Sequence, residues 1–300
     1  MPQVRIKVSY PDGGSLWLTQ VTALDYREDR FQPYQQVRVE AATAQPLARQ
    51  EGNWMEVYIG EEKLFEGTIL FQRARDDGGG RVLSLKGAGC GWYPAHNVSF
   101  PDGIVSGKKF SEMVERYAAF PGVKGVQGED RTLNYTVVRA NMTHWDILTV
   151  FGVQAYGTVP FIDREGYFWG VQPSYPSVTL DGDRLEGCPV QRMDVCASHE
   201  EAISRIYIKS LEGEYDRYLD NTDLAGMNVH RVSFFDPKDE WLKAPVVCMQ
   251  YLLDCSMENQ RYVEVTLCGY LPCRVCAPLQ WIDGASLLEP PLQVTRVRHF

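Results

Sequence analysis

The sequence has no long apolar run, and its first residues do not have the pattern of a signal peptide. No stretch reaches the length of about eighteen apolar residues that a membrane-spanning helix needs. The first ten residues, MPQVRIKVSY, alternate as a β-strand does, whereas a signal peptide has a charged start followed by an apolar block. These features predict a soluble product made in the cytoplasm, without a membrane partner.

Positive charge is also scarce. The chain has 30 Lys and Arg residues against 39 Asp and Glu residues, which gives a formal net charge of −9. No basic run is present, although contacts to phosphates need clustered Lys and Arg. The composition therefore argues against specific nucleic-acid binding.

Catalytic signatures are absent as well. No G-x-S-x-G, H-E-x-x-H, Walker or dinucleotide-binding motif occurs. GAGCGW (Gly87–Trp92) lacks the third glycine, and we interpret it as a strand end followed by a short helix. His144 and Asp146 stand two residues apart on a predicted helix and therefore point in different directions. The neighbours His96 and Asn97 form no better pair, so we predict no catalytic residue at either place.

The eight cysteines include one pair, Cys273 and Cys276, at a metal-binding spacing. Such a pair is half of a zinc site, but a second pair and a histidine at finger-like spacing are missing. Cys196 and His199 receive the same interpretation. A chain of this size does not need disulfides for stability. We predict reduced thiols, no metal site and no cofactor.

The first ninety residues show the two-residue period of β-strands. In NWMEVYIGEEKLFEGTILFQ (Asn53–Gln72), apolar and polar side chains alternate on both sides of a Gly-Glu-Glu-Lys turn. Clusters of Gly, Asp and Pro separate this hairpin from its neighbours. Short strands at such spacing favour a small barrel or a sandwich. The predicted strands cover residues 4–8, 16–21, 36–41, 55–59, 64–71 and 81–87.

The period changes from about Ser106. Apolar residues then follow a helical stripe that ends at Pro121-Gly122; they are Phe110, Met113, Val114, Tyr117 and Ala118. A second helix is predicted over residues 143–155, with a capping box at Thr143 and Asp146. Its expected core anchors are Trp145, Leu148 and Phe151. A strand over residues 133–138 and a hairpin over residues 159–171, turned by Asp163-Arg164-Glu165-Gly166, complete the middle unit.

The last third returns to strands, predicted over residues 205–209, 261–268 and 293–298, with one helix near residues 239–257. The sequence thus predicts a mainly β chain with an α+β insert. We place the divisions at 1–99, 100–173 and 174–300. With 44% apolar content, 300 residues can bury a core and suggest two or three domains.

The order of these segments resembles a known family. VYIGEEKLFEGTIL and RVLSLKGAGCGWYPAHNVS, within Val57–Ser99, resemble the first domain of phage late control D type proteins, the baseplate hub family of contractile tails. GKKFSEMVERYAAFPGV (Gly107–Val123) and NMTHWDILTVFGVQAYGTVPFIDREGYFWGV (Asn141–Val171) are similar to the family's two helices and its following hairpin. DNTDLAGMNVHRVSFF (Asp220–Phe235) and the segment from RYVEVTLCGY to the end resemble its closing barrel.

The resemblance implies two small β-barrel domains that flank the helix-containing unit. It implies a structural protein without catalytic residues, which forms a homotrimeric ring between the tail tube and the central spike. Implied partners are further copies of this chain, the spike, the tube and the baseplate wedge, with tape-measure proteins as a further candidate. The implied location is the virion tail, after synthesis in the host bacterial cytoplasm.

Two alternatives remain open from the sequence. One is a tail-associated cell-wall hydrolase, with Asp163 and Glu165 as its carboxylate pair; their place in a predicted turn argues against it. The other is a distal tail protein of a non-contractile phage, which shares barrels of this kind. The many aromatic residues also allow a sugar-stacking surface, although core or subunit interface is the simpler interpretation.

Overall fold

The computed structural model describes residues 3–43, 51–76, 80–210, 212–236, 245–258, 260–282 and 292–300. Strands dominate, a small helical unit lies in the middle of the chain, and the largest sheet curls into a half-barrel. The predicted mainly β class is therefore confirmed. None of the described helices has the length and apolar character of a membrane span.

The first ninety residues form an antiparallel sheet; the single strand predicted over residues 16–21 is wrong, because the chain divides there into two strands, the second of which continues to Asp29. The seven strands of the sheet from this part of the chain have the order β2-β1-β5-β6-β7-β4-β3. Their bounds are β1 Val4–Ser9, β2 Ser15–Leu18, β3 Gln20–Asp29, β4 Gln36–Thr43, β5 Trp54–Ile59, β6 Glu62–Asp76 and β7 Arg81–Ala88. Alternate side chains on these strands are buried in one apolar cluster, as the two-residue period requires.

In the hairpin of β5 and β6, the predicted alternation is confirmed on β5 but is wrong on the second part of β6. Met55, Val57 and Ile59 are buried as expected. A register shift between Ile69 and Phe71 marks a β-bulge, which changes the side to which the following residues point. Phe71 was expected on the same side as Phe65, but its side chain is 52% exposed.

The middle unit contains three of the helices. Its elements are α1 Trp92–His96, β8 Gly103–Lys109, α2 Phe110–Tyr117, β9 Gly125–Gln127, β10 Thr132–Val138, α3 His144–Tyr156, β11 Phe161–Ile162 and β12 Tyr167–Trp169. β8 pairs with β10, and β12 lies between β11 and β9. The predicted helix is confirmed as α2, whose buried residues are Phe110, Met113, Val114 and Tyr117. It begins a few residues after the expected change near Ser106, because β8 continues to Lys109. The strand end followed by a short helix at Gly87–Trp92 is confirmed.

The α3 helix begins as its sequence predicts. The Thr143 side chain accepts a hydrogen bond from the Asp146 backbone, and the Asp146 carboxylate accepts one from Thr143 in return. Leu148 and Phe151 are fully buried. Trp145, in the first turn of the helix, is only partly buried; it packs against the core cluster and meets Phe168 at a ring distance of 6.4 Å. Trp145 thus contacts the core as expected of an apolar anchor, but its ring is not fully buried.

The last third forms two further sheets. Its elements are β13 Val178–Asp181, β14 Arg184–Leu185, β15 Cys188–Ala197, β16 Arg205–Ile208, β17 Arg217–Asp220, β18 Val232–Phe235, α4 Pro245–Met257, β19 Arg261–Leu267, β20 Pro278–Trp281, β21 Leu292–Gln293 and β22 Arg296–His299. One sheet has the order β19-β15-β14-β13-β20-β21 and the other β17-β16-β18. The predicted helix is confirmed from Pro245, and its residues 239–244 lie outside the described residues.

The chain end returns to the first sheet. β22 pairs antiparallel with β3, which makes that sheet eight-stranded. The single strand predicted over residues 293–298 is wrong, because β21 and β22 belong to different sheets. Between them, Thr295 accepts a hydrogen bond from the Arg30 backbone, while Val294 bonds to Cys276 and Ala277. The divisions predicted at residues 99 and 173 stay a prediction.

Candidate functional site

The turn between β11 and β12 carries a buried cation. Arg164 Nε donates to Glu28 Oε2 at 2.7 Å, and both side chains are at most 4% exposed. Glu28 also accepts from the Tyr26 hydroxyl at 3.0 Å. The two-residue period of β3 directs Tyr26 and Glu28 to the same side of the strand. We call this group the charged junction: Tyr26, Glu28, Arg164 and the residues that bond to them.

The charged junction extends into the last third of the chain. Arg164 Nη2 donates to the carbonyl of Cys273. Arg164 Nη1 lies 3.8 Å from Glu62 Oε1, and Glu62 accepts from the Tyr270 hydroxyl at 2.7 Å. One guanidinium therefore ties the turn to β3, to the start of β6 and to the segment before β20.

The turn can reach this position because of a glycine. Gly166 has a φ of +90°, in the region that other residues rarely adopt. A Cβ atom at this position would stand 2.0 Å from the carbonyl oxygen of Gly122. The close approach of the two backbones thus needs Gly166, and it places Arg164 against β3.

Electrostatics keep the charged junction in one protonation state. Burial lowers the pKa of Arg164, but the neighbouring Tyr26 and Glu28 outweigh burial and raise this pKa. Burial and the nearby Glu28 raise the pKa of Tyr26 well above its usual value. His299, whose ring stacks on Tyr26 at 5.9 Å, has its pKa lowered to about 4 by burial and by the charge of Arg164. At neutral pH the cation is Arg164, and His299 is neutral.

The two carboxylates of the hydrolase alternative flank Arg164. Asp163 accepts hydrogen bonds from Trp169 Nε1 at 2.8 Å and from the Tyr167 backbone at 2.9 Å. Glu165 forms a bidentate pair with Arg274, at 2.9 and 2.7 Å. Both carboxylates thus have partners that hold the turn and its neighbours in place.

Their pKa values shift in opposite directions, as those of a general acid and its partner do. Burial raises the pKa of Asp163. Burial also acts upward on Glu165, but the bonds from Arg274 outweigh it and lower the pKa. The cleft beside them holds only about 10 Å³, and a single water needs about 10–15 Å³. A sugar ring therefore has no room between Asp163 and Glu165.

The histidines of the two other candidate pairs, His144 with Asp146 and His96 with Asn97, each lie close to a backbone carbonyl oxygen. His144 Nδ1 lies 2.7 Å from the carbonyl oxygen of Tyr117, while Asp146 caps α3. His96 Nδ1 lies 2.8 Å from the carbonyl of Trp92. All eight cysteines are free thiols, and the described residues contain no cluster of three or more metal-ligating side chains.

Comparison of the whole chain with known proteins gives structural matches only. No family model and no curated protein matches the sequence. The 43 kDa tail protein of prophage MuSo2 from Shewanella oneidensis matches with a TM-score of 0.75 and 13% identity, over 99% of this chain and 93% of that one. The tail protein from Neisseria meningitidis MC58 matches with a TM-score of 0.70 and 19% identity, over 93% of this chain and 86% of that one. The chain has the fold of these tail proteins.

One surface of this tail-protein fold exposes several large rings. On the three-stranded sheet of β16, β17 and β18, Tyr207 stands opposite both Tyr218 and Phe234. Tyr218 is 53% exposed and Phe234 61%. The ring of Tyr215 lies 5.1 Å from Phe234. We call these four residues the aromatic face.

The aromatic face and the charged junction were both missed by sequence reasoning. In RVSFF, the neighbours Phe234 and Phe235 point to opposite sides of the strand. Because Phe235 is buried, this alternation could have indicated that the ring of Phe234 points outward. For the charged junction, Glu28 lies within β3, which extends beyond the predicted strand at residues 16–21. No local signal joins Glu28 to Arg164.

Proposed function

We propose that this protein is a structural component of a phage tail or of a related contractile particle. In this role it forms a homotrimeric ring that connects the tail tube to the central spike. The observation that carries the proposal is the match of 99% of the chain to a prophage tail protein at a TM-score of 0.75. The matched region includes the helical unit and all the β-rich parts, and the family resemblance of the sequence covers the same order of segments.

Exposed apolar side chains support an assembly role. Large exposed rings occur in separate parts of the chain and include Phe100, Phe234 and Phe300. Exposed apolar groups of this size are what a subunit presents before neighbouring subunits cover them.

The proposed role is mechanical instead of catalytic. The charged junction fixes three parts of the chain against each other without leaving a cleft for a substrate. Further proposed partners are the baseplate wedge and tape-measure proteins, and the proposed location is the virion tail. The domains of this hub would be 1–99, 100–173 and 174–300, with the first and last as small barrels.

Multi-angle light scattering tests the proposal directly. The full chain would be measured alone and together with the tube and spike proteins encoded beside it. A mass of three chains is expected, either alone or when a neighbour is added, because a trimeric spike needs a threefold partner and cyclic symmetry leaves no interface open. A monomer under both conditions would refute the proposed ring.

A further inference from the structure

The outward side of β4, β7 and β6 carries a cluster of cations around a phenylalanine. Arg38 stands opposite Lys86, and Lys86 stands opposite Phe71. Arg73 and Arg75 follow Phe71 at intervals of two and therefore point to the same side. The bulge on β6 turns Phe71 outward. We call these five residues the basic face.

Three cations of the basic face have no partner in the described part of the chain. Apart from the backbone bonds of the sheet, the side chains of Arg38, Arg73 and Lys86 make no hydrogen bond or ion pair there. Nearby on the same sheet, Arg27 and Arg298 both bind Asp25. Since most exposed cations of this sheet pair with a carboxylate, the three unpaired side chains of Arg38, Arg73 and Lys86 on an acidic protein need an explanation.

The aromatic face has the opposite charge. Its own cations are neutralised, because Arg205 pairs with Asp220 and Lys209 pairs with Asp236. The loop before β17 adds three exposed carboxylates, which have no ion pair among the described residues: Glu212, Glu214 and Asp216. The contact of Tyr215 with Phe234 holds this loop beside the rings.

The excess of acidic over basic residues is also larger in the part of the chain that carries the aromatic face. Asp and Glu outnumber Lys and Arg by seven over residues 174–300, but only by two over residues 1–173. The basic face lies in the nearly neutral part and the aromatic face in the acidic part. A surface of each kind on one chain allows copies of the chain to bind each other.

We propose that the basic face of one copy binds the aromatic face of the next copy. Phe71 packs among Tyr218 and Phe234, while Arg73 and Lys86 meet the carboxylates of the acidic loop. Because the two surfaces are different, the contact is heterologous, and repeating it closes a ring when the rotation permits. This inference rests on the proposed function and names the surfaces that build its ring.

Charge reversal on each face tests the contact. The first variant carries Arg73→Glu and Lys86→Glu, and the second carries Glu214→Lys and Asp216→Lys. Each should weaken self-association at least about tenfold, because like charges then oppose each other. Self-association of the full chain would be measured by sedimentation velocity over a concentration series. Equal thermal midpoints of the variants and the unmodified chain would show that folding is intact.

Two recombinations make the test specific. A chain that carries all four substitutions again has opposite charges at the contacting positions, with their signs exchanged, so its self-association should return to within about threefold of the unmodified chain. An equimolar mixture of the first and second variants should associate where each alone does not. Glu115→Lys, on an exposed position of α2, is the matched control and should change nothing.

The outcomes separate this inference from the proposed function. If the unmodified chain forms a ring and both variants form it equally well, the two faces are not the interface, while the ring remains. Failure of the fourfold variant to recover would also overturn the inference. Tight DNA binding that is lost with Arg73→Glu and Lys86→Glu would show that the basic face binds nucleic acid instead. A chain that stays monomeric with every neighbour overturns the ring itself.

Discussion

Arg164 and Glu28 lie 136 residues apart in the sequence, yet the Nε atom of Arg164 donates to Glu28 Oε2 at 2.7 Å in the interior. This contact joins the middle unit to the first sheet, and the bond from Arg164 to the Cys273 carbonyl adds the last third. Removing one partner of a buried ion pair is strongly destabilising, because the remaining charge stays buried without its counter-ion. The position of the turn is therefore strongly specified.

Arg164→Met should lower the free energy of unfolding by about 3–5 kcal/mol, because it leaves the Glu28 carboxylate buried without its cation. Chemical denaturation checks this value. Arg192→Met is the control: Arg192 is 72% exposed and pairs with Asp194, so its loss should cost less than about 1 kcal/mol. The double change Arg164→Met with Glu28→Gln should cost less than the sum of the two single changes. A strictly additive result would show that the two side chains do not interact.

Asp163→Asn and Glu165→Gln should leave cell-wall suspensions as turbid as the unmodified protein does. The cleft beside these carboxylates has no room for a sugar ring, so we expect no lytic activity to be lost. Turbidity of a peptidoglycan suspension is the measurement, with a known lysozyme as the positive control. Clearing by the unmodified chain that either substitution abolishes would establish the hydrolase alternative.

His299 should make stability depend on pH below neutrality. Burial and Arg164 lower its pKa in the folded protein to about 4, while the unfolded value is about 6.5. Between these values the unfolded chain binds a proton that the folded chain does not, so stability falls as pH drops from about 6.5 to about 4. His299→Phe should flatten this part of the pH profile in thermal denaturation. His230→Phe, at an exposed histidine, should not; equal profiles for both variants would contradict the prediction.

Phe151→Ala should destabilise the protein by about 3–5 kcal/mol, as the loss of a fully buried ring does. Phe151 is 0% exposed and stacks on Phe110 at a ring distance of 5.7 Å. Trp145→Ala should cost less, because the Trp145 ring is only partly buried. The denaturant midpoints of the two variants are compared. A larger loss of stability for Trp145→Ala than for Phe151→Ala would contradict the partial burial of Trp145.

The cysteines should behave as separate thiols. Burial raises the pKa of Cys90 and of Cys248 to about 12, and that of Cys273 and Cys276 to about 11. These four should react slowly with iodoacetamide in the folded protein, since the thiolate is the reactive form. The exposed Cys268 should react first. Under denaturing, non-reducing conditions mass spectrometry should show all eight modified; stoichiometric zinc lost on Cys273→Ser would contradict this.

The sequence by itself determined the local structure. The two-residue period of Met55, Val57 and Ile59 predicts a strand with one buried side, because the backbone alternates its side chains. Thr143 and Asp146 start α3 for a reason that is equally local: each satisfies a free backbone N–H of the first turn. These signals lie within a few residues of each other and need no knowledge of the rest of the chain.

Only the tertiary structure decided the relations between distant parts. The bulge that turns Phe71 outward depends on pairing with β7, and the final predicted strand divides because its halves pair with different sheets. The sequence does not reveal that Arg164 and Glu28 pair, because it does not distinguish a charged residue that will be buried from one that will be exposed. The choice between a catalytic pair and a structural turn at Asp163 and Glu165 required their partners and the size of the cleft, which depend on how remote segments pack.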